Sequence, residues 1–191
     1  EGLNFEPLRR VPKKEAYPVV AFVGRLKRAK RPDHAVRAFG IVRGKVPDAE
    51  LWVLGDGPFR RDLEGLAGEG VRFFSGLGDV ERRELVGRAW VLVNPSVREG
   101  WGLNVVEANA LGVPCVAYDV AGLRDSIRDN ENGLLAEAGS VDDLAEKLLM
   151  VQTDAGFRMK LSHNALAYSR QFNWNNTTEA FMKVVNGCAL D

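Results

Sequence analysis

The chain has 191 residues, 46% of them apolar and 27% charged, with a formal net charge of zero. Such a length buries a substantial core in one principal domain, and the composition is that of an ordinary soluble globular protein. No apolar run approaches the roughly 20 residues that span a bilayer and no signal-peptide pattern is present; the only two cysteines, Cys115 and Cys188, have no metal spacing, so a structural disulfide is not indicated and a cytoplasmic setting is favoured.

The chain opens on Glu1 rather than Met, as a fragment or a processed chain would, and its proline- and charge-rich stretch 1–17 reads as a linker. Residues 18–172 carry the pattern of a Rossmann-like domain. Pro18 to Val23 is a β-branched apolar run ending at Gly24, and Pro32 opens a helical pattern through Ala35, Val36, Ala38, Phe39 and Val42, closed by Gly44 and Pro47. Leu51 to Leu54 predicts a second strand, punctuated by G-D-G-P from Gly55 to Pro58 and followed by a short helix containing Leu63 and Leu66. Val71 to Phe74 predicts a third strand, with a helix near Glu81 to Arg88. Trp90 to Val93 is the fourth, followed by a helix over Leu103 to Leu111, which Gly112 and Pro114 punctuate. Cys115 to Tyr118 and Gly133 to Ala136 complete six strands. Ser140 and Asp143 have capping-box spacing ahead of Leu144, Leu148 and Val151. Phe157, Leu161, Ala165, Tyr168 and Phe172 recur at helical spacing, and Trp174, Phe181 and Val185 predict a last amphipathic helix in 173–191, all as packing positions. Strands that are apolar throughout and alternate with helices predict an α/β fold, a doubly wound parallel sheet with ligands bound at its carboxyl ends. Gly24-Arg25, Gly55-Asp56, Gly76-Leu77, Glu99-Gly100 and Val120-Gly122 then line one rim.

On that rim the stretch S-V-R-E-G-W-G-L-N-V-V-E, Ser96 to Glu107, is the most informative. Two carboxylates, Glu99 and Glu107, flank a Gly-Trp-Gly turn between a predicted strand and a predicted helix. Amides at a helix start face an anion, and Gly100 and Gly102 let the main chain approach a ligand. Carboxylates beside such a turn repel a phosphate but bridge neighbouring hydroxyls. An anionic centre with a hydroxyl-rich group at each end describes a nucleotide-diphosphate sugar. The plainer alternative is that both glutamates are solvated charges at a helix entrance.

Charge is unevenly distributed: residues 1–45 hold twelve Lys or Arg against four acids. A basic front half fits an anion site, a nucleic-acid patch or a membrane-surface patch, and the lack of aromatics within Arg25 to Arg31 weakens the nucleic-acid reading. In G-R-L-K-R-A-K-R, Arg25 directly follows the strand-end glycine and can fork two phosphate oxygens, and Lys30 supplies a compact second charge. Neither a P-loop nor G-x-G-x-x-G is present. No metal site stands out, His34 and His163 read as packing or surface residues, and no local serine or cysteine nucleophile pattern occurs.

These motifs, in this order, are similar to a known family. G-R-L followed by Lys30, G-D-G-P at Gly55, P-S-V-R-E-G-W-G-L-N-V-V-E-A-N at Pro95, G-V-P-C-V-A at Gly112 and N-G-L-L at Asn132 resemble the C-terminal, donor-binding half of a retaining glycosyltransferase of family four (group one), with GT-B architecture. The resemblance runs from about Val19 to Trp174, and the glutamate pair with seven residues between is its most specific element. It implies that Arg25 and Lys30, after Gly24, bind the donor diphosphate. It implies that Glu99 binds sugar hydroxyls with the amides of Gly100, Trp101, Gly102 and Leu103, that Glu107 holds the ribose, and that Gly76-Leu77 lies against the base. Glu99, Arg25 and Lys30 would be the catalytic set. The implied reaction transfers a hexose from a donor such as a UDP- or GDP-hexose with retention, and it needs no cofactor and no metal. The implied partner is an N-terminal acceptor domain, absent here, toward which the helix in 173–191 is expected to pack and through which any membrane association would run; the chain alone would bind donor and transfer little or nothing. Trp101 stands where phenylalanine is more usual, Gly78 where valine is frequent, and Asp125 where glutamate is common. A GT-B sugar-nucleotide epimerase or phosphorylase half, against which the R-x-x-x-x-K and paired-glutamate spacings weigh, and a non-catalytic nucleotide-binding module using the basic loop are the alternatives.

Overall fold

The computed structural model describes residues 11–188. Six strands, β1 (Val19–Val23), β2 (Glu50–Leu54), β3 (Val71–Phe74), β4 (Val91–Asn94), β5 (Cys115–Tyr118) and β6 (Gly133–Ala136), form one sheet. Every pairing is parallel and the order is β3-β2-β1-β4-β5-β6, so the chain reverses direction across the sheet between β1 and β4. The described residues also form eight helices: α1 (Pro32–Lys45), α2 (Arg60–Leu66), α3 (Asp79–Arg88), α4 (Leu103–Asn109), α5 (Leu123–Ser126), α6 (Val141–Thr153), α7 (Ala155–Ser169) and α8 (Trp174–Cys188). The predicted α/β doubly wound architecture is the one observed. None of the helices among the described residues is long and apolar enough to cross a membrane.

Strand alternation explains the two cores. Val20 and Phe22 of β1 face one side, with Phe39 of α1 and Leu144 and Leu148 of α6. Val19 and Ala21 face the other, with Val86 of α3 and Val105 and Ala108 of α4. Both faces of each central strand are therefore covered, which is why its sequence is an unbroken apolar run. Each fully buried large side chain here contributes about 1.5–3 kcal/mol of hydrophobic stabilisation. Cys115 lies wholly inside, where burial pushes its thiol well above the ordinary range. Ser140 caps α6, its hydroxyl accepting from the Asp143 amide at 3.2 Å.

Two features differ from the sequence reading. Residues 11–17 are not strung out but lie against the domain: the Glu15 amide donates to Arg88 O at 3.0 Å, and Lys14 Nζ donates to Gly87 O at 3.0 Å and Leu111 O at 3.2 Å. Phe172 lies past the end of α7 and turns back onto Tyr168, with ring centroids 5.0 Å apart. On the last predicted helix, α8, Phe181 and Val185 stand 64% and 43% exposed. Of the expected linker, residues 1–10 lie outside the described residues, as do 189–191 and the side chains of Trp174 and Cys188.

Candidate functional site

The loops after β1 and β4 meet where the strand order reverses, the place in a doubly wound sheet where a crevice opens outside the strand ends. The first loop leaves β1 through Gly24, whose amide donates to Leu54 O at 3.1 Å, and closes as a 3-10 turn over Arg28–Lys30. Leu26 anchors it by burying its side chain completely. The second loop runs from Pro95 to Gly102 and is tied to the first, the Val97 amide donating to Ala29 O at 3.2 Å.

Lys30 and Glu99 form an ion pair across these loops, with side chains 25% and 12% exposed. Glu99 is held from beneath by Ser96, whose buried hydroxyl lies 2.8 Å from Glu99 Oε1 and 2.6 Å from Asn94 Oδ1. One hydroxyl proton serves only one of those acceptors at a time. The backbone carbonyl of Glu99 is fixed just as tightly. Gly122 (φ +83°) passes so close that a Cβ there would sit 2.2 Å from Glu99 O, so only glycine fits. Gly102, with φ +72°, turns the chain into α4. Asn104 in that helix donates to Val23 O at 3.1 Å and accepts from Asn94 Nδ2 at 3.1 Å, bolting the helix start to the ends of β1 and β4.

Of the residues singled out from the sequence, Lys30 and Glu99 are in contact. Arg25 is exposed at the same rim, and its side chain has no hydrogen-bond or ion-pair partner among the described residues. Gly100 is exposed, Gly102 is buried, and Leu103 is 45% exposed at the start of α4. Trp101 packs edge-on against Phe172, with centroids 4.8 Å apart, so its ring is committed to the C-terminal segment and its backbone is what faces the turn. Glu107 does not reach the Lys30–Glu99 pair; it accepts from Arg82 Nη1 at 3.3 Å beside Val23 and Asn104. Gly76 has φ +68° in the turn after β3, and Leu77 is packed against the second core.

Four site residues were not anticipated. Asn94 and Asn104 are polar residues at the edges of apolar runs, and that break in pattern was the available signal. Ser96 was visible only as the start of the motif. Arg82 lies in a charged helix surface and had no sequence signal separating it from its neighbours. Among the described residues no group of three His, Cys, Asp or Glu side chains is placed to hold a metal ion.

The profile of the family glycosyl transferases group 1 matches residues 4–168. The D-inositol 3-phosphate glycosyltransferase of Actinosynnema mirum is 35% identical over 178 residues, covering 86% of this chain and 43% of that protein. Across the first such relatives the chain spans about two fifths of their length. The crystal structure of the C-terminal domain of a glycosyl transferase group 1 family protein, LpcC, from Francisella tularensis superposes with a TM-score of 0.74 at 26% identity, covering 86% of this chain and 89% of that one. A TarM mutant of S. aureus, in complex with fondaparinux, alpha-GlcNAc-glycerol and UDP, shares the fold with a TM-score of 0.84 at 22% identity, covering 96% of this chain and 38% of that one. The chain belongs to the glycosyl transferases group 1 family.

Proposed function

We propose that this chain is the C-terminal, donor-binding part of a retaining glycosyltransferase of family four, taking a nucleotide-diphosphate hexose. The observation that carries the reading is the Lys30–Glu99 pair at the sheet's switch point, with the partnerless Arg25 beside it. A diphosphate arriving there offers Lys30 a better acceptor than one carboxylate oxygen, and Glu99, released, accepts from sugar hydroxyls. Arg25 forks the diphosphate, Glu107 takes the ribose hydroxyls, and the turn at Gly76-Leu77 lies against the base. The amides of Gly100, Trp101, Gly102 and Leu103 supply further donors at the sugar end. The match to a solved C-terminal domain, covering most of both chains, supports the placement within a larger enzyme.

In transfer the bond between the anomeric carbon and the diphosphate oxygen breaks as the acceptor hydroxyl oxygen bonds the same carbon from the same face, its proton passing to the departing phosphate oxygen. Negative charge gathers on the leaving oxygen, where Arg25 and Lys30 neutralise it, and positive charge spreads over the sugar ring near Glu99. The two cations do for the leaving group what a divalent ion does elsewhere. A calorimetric panel of UDP, GDP and ADP, with and without EDTA, tests this. One diphosphate should bind tightly with EDTA present, and Lys30→Met should weaken it about tenfold or more. Binding of none, or binding only with magnesium or manganese, would remove the reading.

A further inference from the structure

The 3-10 turn Arg28–Lys30 has a second side. Lys30 turns toward Glu99, whereas Arg28 and Arg31 border a separate groove of about 480 Å³, completed by Asp33, Phe59 and Val97. We propose that this groove binds a phosphate group carried by the acceptor substrate. The assignment rests on the donor reading above.

Both guanidiniums are prepared for an anion. Arg28 lies over the Phe59 ring, 5.9 Å from its centroid, and makes no ion pair among the described residues. Stacking uses the face of a guanidinium and leaves its in-plane N–H edges free. Arg31 is held in the left-handed region at φ 46°, a conformation that costs a residue with a side chain and that clusters at ligand clamps. Its Nε and Nη2 donate to Asp33 at 3.3 and 3.5 Å, and Nη2 also donates to His34 Nε2. His34 is buried, and its Nδ1 lies 2.6 Å from Tyr118 Oη. With Nε2 accepting from Arg31, Nδ1 carries the proton and donates to Tyr118. Burial, followed by the Arg31 charge, holds His34 below its ordinary pKa and keeps that arrangement neutral. Arg31 is therefore aimed rather than loose.

Charge and shape point the same way. Two guanidiniums face one carboxylate, so the groove is net positive, and Phe59 with the half-exposed Val97 gives it an apolar wall for the body of an ester. It also adjoins the donor loops: Val97 is two residues before Glu99, Arg28 is at the other end of the 3-10 turn from Lys30, and the Val97 amide donates to Ala29 O at 3.2 Å. An acceptor anchored there by its phosphate would present a hydroxyl toward the sugar without competing for the cations of the diphosphate.

The test is calorimetry on the 191-residue chain. UDP and GDP are titrated first, to establish the donor site by itself. With the better of them at saturation, sn-glycerol 3-phosphate, glycerophosphoglycerol and glycerol follow. We expect at least one phosphate ester to bind while the nucleotide stays bound, and glycerol not to bind. Monoester or diester preference then separates a small phosphorylated acceptor from a phosphodiester polymer end. Arg28→Ala should weaken the ester about tenfold and leave nucleotide affinity unchanged, with Arg28→Lys between the two. Competition between ester and nucleotide, equal binding of glycerol, or an Arg28→Ala variant that binds ester like wild type would overturn the assignment. Absence of nucleotide binding in the first titration would instead remove the donor reading, and this role with it.

Discussion

At the scale of single residues, Glu99 and Glu107 look alike in the sequence and differ in the fold. Glu99 is paired with Lys30 and braced by Ser96, whereas Glu107 is paired with Arg82 one helix away. Glu107→Gln should therefore weaken both a free nucleotide diphosphate and its sugar conjugate, by roughly 1–3 kcal/mol for a lost charged hydrogen bond. Glu99→Gln should weaken only the conjugate, and the free diphosphate should bind as well or slightly better, because Lys30 no longer has to leave a carboxylate. Calorimetry with both ligands decides; two mutants that bind both ligands like wild type would reduce the pair to solvated charges. Arg25→Ala should cost about 1.5–3 kcal/mol for a nucleotide diphosphate and far less for the nucleoside, since a bidentate charged contact is lost only in the first case. Equal losses would show that Arg25 does not touch the diphosphate.

At the scale of elements, the segment 11–17 is fastened to the ends of α3 and α4 rather than free. Lys14 Nζ donates to the carbonyls of Gly87, in the last turn of α3, and Leu111, just past α4, and burial lowers its pKa to about 7. In the unfolded chain lysine titrates near about 10.4. Below pH 7 both states are protonated and the cost of the buried charge is fully present. Between about 7 and 10 the unfolded chain binds the proton and the native state does not, so stability rises with pH, by at most about 1.4 kcal/mol per unit. Urea unfolding of wild type and Lys14→Met across that range should show wild type gaining on the variant; parallel curves would mean that Lys14 stays charged. All six strands and the longer helices were legible, because an apolar run bounded by glycine or proline is what a strand covered on both faces must be. The 3-10 turn and the single turn α5 were not, since three or four residues set no period. The docking of 11–17 was hidden for another reason: it depends on carbonyls exposed at the ends of two helices far along the chain. Likewise the glutamates were legible by type and spacing, but their different partners, Lys30 and Arg82, are fixed only by the strand order.

At the scale of the whole molecule, the sheet is complete and covered on both faces, yet α8 carries Phe181, Met182, Val184 and Val185 at exposures from 43% to 64%. A helix with that many apolar side chains in water gains from being covered. The chain spans about two fifths of the length of its curated relatives. We propose that α8 packs toward the N-terminal part of the enzyme and helps hold the two halves in register around the donor. On that proposal the isolated chain should bind nucleotide and transfer no sugar. Phe181→Asp separates the two settings. In this chain alone the side chain is already wet, so unfolding free energy should change by no more than about 0.5 kcal/mol. In the complete enzyme the same substitution should cost about 1.5–3 kcal/mol of burial, read as lower thermal stability and reduced transfer with nucleotide affinity intact. A loss in the isolated chain as large as in the complete enzyme would show that Phe181 packs within this domain, and the role of α8 as a bridge would fall.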